Sequence, residues 1–140
     1  MRESYLDTLG YESLQTNNWT RKNNLLTGRF DHSCALLTND TVLVSGGWNG
    51  NRLNSSEIYS ISTGTWQSGP SLPITIRSAQ MVKVDNTIYH IGGHTSNGAI
   101  SDIYQLDKVN TSSFPWSLVG HLKKAKFDFG VTAIKLSPQT

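Results

Sequence analysis

Few residues of this 140-residue chain are suited to chemistry, and they are scattered. The four histidines, His32, His90, His94 and His121, and the one cysteine, Cys34, are the natural metal ligands and nucleophiles. His90 and His94 stand four apart, but the residues between them are Ile91, Gly92 and Gly93, a strand running into a turn. A zinc pair at that spacing belongs on one face of a helix with a carboxylate beside it, so no metal site is expected here. Cys34 lies in the apolar run "HSCALL" and reads as a buried, inert thiol, since an attacking thiolate needs an activating neighbour. No phosphate loop, nucleophile elbow or paired-carboxylate motif occurs, and no catalytic residue, metal or cofactor is assigned. What remains suits recognition. Trp48, Asn49 and Arg52 fall in "WNGNRLNS" and His94 and Asn97 in "HTSNGAIS", two polar stretches that each follow a diglycine. Trp and Arg are favoured interface anchors, although Asn also serves the geometry of turns.

The scaffold that positions these residues is first bounded by composition. A formal net charge of +2 with 16% charged residues gives no broad field for nucleic acid or an anionic membrane. No run approaches the roughly 18 apolar residues of a membrane helix, and the opening "MRESYLDTLGY" lacks the apolar centre of a signal peptide. No address is read, and a cytoplasmic setting is favoured over a secreted one. Four N-x-S/T triplets, at Asn18, Asn39, Asn54 and Asn110, would accept sugar only in a secreted protein, and a chain rich in Asn, Ser and Thr produces such triplets by chance. A polar, weakly charged chain of this kind suits short strands and many turns, and a single Cys excludes a disulfide framework.

The chain repeats itself. Gly46-Gly47 and Gly92-Gly93 lie 46 residues apart, Arg29 and Arg77 lie 48 apart, "EIY" ending at Tyr59 and "DIY" ending at Tyr104 lie 45 apart, and Trp66 and Trp116 lie 50 apart. The tail of an earlier unit precedes them in "SLQTNNW", and the head of a later one follows in "KKAKFDFGVTAIKL". Within the first whole unit four strands are expected near 30–37, 41–46, 56–61 and 65–68, and within the second near 78–84, 87–92, 102–106 and 116–119. No segment carries helical periodicity over ten or more residues.

A period near 50 with a diglycine, a later Tyr and a later Trp resembles the kelch repeat, most strongly in "GRFDHSCALLTNDTVLVSGG…SSEIYSISTGTW" and next in "IRSAQMVKVDNTIYHIGG…SDIYQLD…W". The resemblance covers about residues 11 to 136. The second copy departs from the first by Gln80 where the first has His32, and by a longer turn over 107–115. It implies an all-β, incomplete kelch-type β-propeller of four-stranded antiparallel blades, about three blades' worth: 1–24 the tail of a first blade, 25–72 and 73–122 complete blades, 123–140 the first strand of another. Gly46, Gly47, Gly92 and Gly93 then end each blade's second strand where a neighbour comes close, and Tyr59, Trp66, Tyr104 and Trp116 fill the space between blades.

The loops after second and fourth strands emerge at one end of such a fold, and they are the long ones. The resemblance implies a non-catalytic scaffold that binds a protein or peptide partner there, with Trp48, Asn49, Arg52, His94 and Asn97 as contacts. Two outcomes stand beside this. An open array leaves unpaired edges through which copies could self-associate. Copper radical oxidases related to galactose oxidase also use kelch-like propellers, so a fragment of such an enzyme, with Cys34 as its crosslinking residue, is the alternative reading.

Overall fold

The structure, a computed structural model, describes residues 8–13, 18–106 and 116–134, with side chains from residue 20 onward. Among the described residues there are twelve strands and no helix. The first two, β1 (Thr8–Ser13) and β2 (Asn18–Asn24), form an antiparallel hairpin. β3 (Ser33–Leu36), β4 (Thr41–Ser45), β5 (Ser56–Ser60) and β6 (Thr65–Ser68) follow as a four-stranded meander in chain order. β7 (Gln80–Val84), β8 (Thr87–Ile91), β11 (Asp102–Leu106) and β12 (Trp116–His121) form a second meander. A small hairpin, β9 (His94–Thr95) with β10 (Gly98–Ala99), is set into the loop between β8 and β11. All eight strands expected in the two whole units are present: β4, β5, β7 and β8 are a residue or two shorter than expected, β3 is four shorter, β6 and β11 coincide, and β12 runs two residues further.

Each meander exists because its turns are local and its strands alternate. Asp40, in the β3–β4 turn, accepts from the Ser60 and Ser62 hydroxyls and from the Ser62 amide, tying that turn to the end of β5. Those bonds hold its carboxyl below the usual carboxylate range. The core lies between the two meanders. Leu37, Leu43 and Ile58 of one sheet meet Met81, Ile88, Leu106 and Trp116 of the other, with Leu72, Ile76 and Ala79 of the connecting segment among them. The inner strands β3 and β7 adjoin, as blades converging on an axis require.

The two-residue alternation overturns one expectation. "HSCALL" is not a uniformly buried run: Ser33 and Leu37 are buried, but Cys34 and Leu36 project from the opposite face of β3 and are exposed. An apolar run on a one-sided strand is divided between core and surface by the pleat. The Cys34 thiol is partly desolvated by the surrounding protein, which raises its pKa and leaves it unactivated.

The diglycines close the units onto each other. Gly47 N–H donates to the Ile76 carbonyl at 2.8 Å, and Gly93 N–H donates to the Lys126 carbonyl at 2.7 Å. A Cβ on Gly46 would lie 2.8 Å from the Ile76 oxygen, and one on Gly92 would lie 2.6 Å from the Lys126 oxygen. Both first glycines also take left-handed φ, +67° and +60°. Only glycine fits both the conformation and the approaching backbone.

These contacts correct the sequence register. Asp31, Ser78 and Asp128 share φ values of 54°, 54° and 51°, and Ser78 N–H donates to Asp31 O while Asp128 N–H donates to Ser78 O. Arg77 therefore matches Phe30, not Arg29, whose counterpart is Ile76. Pairing across the sheets likewise sets Tyr59 opposite Val42 but Tyr104 opposite His90. Counted from each diglycine, Leu106 takes the place of Tyr59, and Tyr104 that of Glu57. The sequence aligned similar letters, whereas hydrogen bonding counts from the glycines. Residues 122–134 dock without forming a strand; the rest of the expected strand in 123–140, the 107–115 turn and the triplet at Asn110 lie outside the described residues.

Candidate functional site

The loops that follow β4 and β8 start from equivalent backbone positions. Trp48 bridges to Phe30 on one side and to Arg52 on the other, and His94 bridges to Arg77 in the same manner as Trp48 to Phe30. Two successive units thus hold Trp48 and His94 in matching places. Their side chains gather with those of two arginines. The guanidinium carbons of Arg52 and Arg77 lie over the Trp48 ring, 5.5 and 5.2 Å from its centroid. Such cation–π contacts contribute about 0.5–2 kcal/mol each, more where water is excluded. Arg52 Nη2 lies 3.1 Å from His94 Nδ1, and the His94 ring meets Phe127 edge-on at 5.2 Å.

Three of the five expected contacts, Trp48, Arg52 and His94, are therefore brought together, and the other two are not in the cluster's contacts. Asn49 serves its own turn: its N–H donates to the Asn51 carbonyl and its Oδ1 accepts from Asn51 N–H. Asn97 sits exposed in the β9–β10 turn, where its N–H donates to Thr95 Oγ1. Arg77, Phe127 and Asp31 were missed. Arg77 had stood out only as a repeat landmark, and Phe127 reaches the cluster from the following unit, a contact no local spacing announces. Asp31 lies 3.6 Å from Arg77, both about a third exposed.

The remaining landmark residues hold the units together. Trp66 Nε1 donates to Asn23 O at 2.8 Å, and its ring lies 5.0 Å from that of the buried Tyr59. Trp116 Nε1 donates to Pro70 O at 3.1 Å. Each indole thus bonds a carbonyl just beyond or at the end of the preceding unit's outer strand. Tyr104 is buried and its hydroxyl donates to Asp102; burial first, and then the charge of that carboxylate, raises its pKa.

The other histidines are dispersed. His90 is buried between the meanders against Trp116, and that burial pushes its pKa down to about 4, so its ring is neutral. His32 is also held below its ordinary value, first by burial and then by Arg29. His121 pairs with Asp102 at 3.0 Å on the surface. Among the described residues no three His, Cys, Asp or Glu side chains are grouped to hold a metal ion.

Two four-stranded antiparallel meanders, joined through diglycines to the backbone of the next unit, define this as a segment of a β-propeller. Residues 29–73 match the family model of the kelch motif. A kelch domain-containing protein of Saccharolobus solfataricus is 42% identical over 45 residues, 32% of this chain and 6% of that protein. An F-box/kelch-repeat protein of Arabidopsis thaliana is 32% identical over 101 residues, 71% of this chain and 27% of that protein. The kelch repeat and BTB domain-containing protein 2 of Horsepox virus is 28% identical over 87 residues, 61% of this chain and 16% of that protein. The chain carries kelch repeats and is a kelch-repeat protein, with its four-stranded sheets as propeller blades. It spans 6% to 27% of the length of these relatives.

Proposed function

We propose that this chain is a non-catalytic protein-interaction scaffold with complete blades over 25–72 and 73–122 and parts of two others, binding a protein or peptide partner at the Trp48–Arg52–His94 end. The observation that carries the reading is the 3.1 Å contact between Arg52 and His94, side chains from loops of successive blades that build one composite surface. A half-buried Trp, two arginines and a half-exposed Phe are the composition of an interface anchor, not of solvated loop filler. Relatives whose names join kelch repeats to F-box or BTB domains fit a scaffold role. The oxidase alternative gains nothing from an exposed Cys34 and dispersed histidines.

The test is affinity capture of partners from lysate by the wild-type chain and by a Trp48→Ala/Arg52→Ala double variant, with identification of what is retained. A partner set held by wild type and lost by the folded double variant is the expected result. Partners held equally by both would move the contact surface elsewhere.

Self-association is a separate expectation. Leu36 and Val84, on the inner strands, are 46% and 42% exposed, a cost in water that a second copy would relieve. Light scattering across a concentration series checks it; a monomer throughout would sink it.

A further inference from the structure

The binding reading leaves the chemistry of the partner open, and the polar atoms of the cluster narrow it. A guanidinium has no acceptor, so in the 3.1 Å contact Arg52 donates and His94 Nδ1 accepts. The His94 proton is then on Nε2, a further donor. Arg77 and Arg52 add only donors, and Nε of each arginine is buried without a hydrogen-bond partner. Among the described residues the single carboxylate within ion-pair distance of either arginine is Asp31, at 3.6 Å from Arg77 and without bidentate geometry. Arg52 has no carboxylate within ion-pair distance among the described residues.

Two cations and one anion leave one positive charge uncompensated. That charge sits beside aromatic surface: Trp48 beneath the guanidiniums, and Phe127, 47% exposed, against His94. We propose that the Trp48–Arg52–Arg77–His94 cluster is an acceptor-seeking subsite that takes one Asp or Glu side chain of an acidic peptide segment, with Phe127 and Trp48 contacting the residues on either side of it. The inference rests on the interaction surface proposed above. A monoanionic carboxylate matches the single free charge and the planar fork of Arg52. A dianionic phosphoryl group would exceed that charge and be repelled by Asp31. Asp31 acts as an internal competitor that occupies Arg77 until a stronger acceptor arrives.

The experiment is a positional-scanning library of immobilised dodecapeptides, each position also offered as phosphoserine, probed with the whole chain. Selection of Asp or Glu at one position is expected. Arg52→Glu, checked for folding by near-ultraviolet circular dichroism, should replace that preference with Lys or Arg, an inversion that a merely structural arginine would not produce. Asp31→Asn, which keeps a residue tolerant of the left-handed φ, should tighten the selected acidic peptide by about two- to fivefold. Peptides captured with no acidic preference, phosphoserine preferred over Glu, or an acidic preference unchanged by both variants would each overturn the proposal. In those cases capture that still depends on Trp48 leaves the interaction surface standing, whereas no capture at all removes both.

Discussion

The carboxylate of Glu57 lies 2.6 Å from the guanidinium of Arg29, with the two side chains 4% and 0% exposed. This buried pair is fully furnished. Glu57 also accepts from Leu26 N–H at 2.7 Å and Thr27 N–H at 3.0 Å, and Arg29 donates to the carbonyls of Gly46 and Ser55 at 2.9 Å each. It therefore ties the segment after β2 and the first diglycine to β5. The equivalent places in the next unit are held by Ile76 and Tyr104, so the architecture does not require charge there.

Glu57→Ala should destabilise the chain by about 3–5 kcal/mol, because it strands a buried guanidinium and two amides. The double change Arg29→Met/Glu57→Leu should cost far less than the sum of the two single changes, since no charge is left unpaired. Urea denaturation of the four species measures the coupling. Additive losses would show that the pair acts only through its separate backbone bonds.

Gly46→Ala combines a left-handed φ of +67° with a Cβ 2.8 Å from the Ile76 oxygen. A loss of at least about 1–2 kcal/mol follows from the conformation alone, and displacement of the Ile76 backbone adds to it. Gly130→Ala, where an added Cβ meets nothing within 4 Å, should be neutral. Equal melting temperatures for the two variants would count against the diglycine contact.

His90 gives the stability a pH slope. Its folded pKa is about 4, below the ordinary 6.5, so the unfolded chain binds the extra proton between those values. Its contribution is whole above about pH 6.5 and falls away as the pH drops toward 4, a total of about 3 kcal/mol. His32 contributes in the same direction. Val44 holds the place of His90 in the preceding unit, and His90→Val should flatten the curve over this window. A slope identical to wild type in denaturation at pH 4.5 and 7 would refute the assignment.

Trp66→Phe keeps an aromatic ring beside Tyr59 but removes the donor to Asn23 O. The expected loss is about 1 kcal/mol, concentrated in the β1–β2 hairpin. Amide exchange should quicken in β2 and stay unchanged in β7 and β8; a uniform change would mean that the indole bond serves the whole fold.

The repeat, the strand positions and the diglycines were legible in the sequence because they are local. Period-2 apolar patterning, turn residues and Gly46-Gly47 each act within a few residues of themselves, and the kelch resemblance followed from their recurrence. Trp48, Arg52 and His94 were legible as loop residues for the same reason. What the sequence could not supply was anything set by counting across strands or between units. Cys34 was placed in the core because an apolar run does not say which face the pleat will turn outward. Arg77 was matched to Arg29, yet the bonds from Gly47 to Ile76 and from Ser78 to Asp31 shift it to the place of Phe30, where its side chain reaches Trp48. Asn49 and Asn97 share the loops of the cluster but bond within their own turns, Asn49 Oδ1 accepting from Asn51 N–H and Asn97 N–H donating to Thr95 Oγ1. Whether a loop residue faces a neighbour or its own turn depends on how one blade seats on the next, and close packing between blades settles that only in the folded chain.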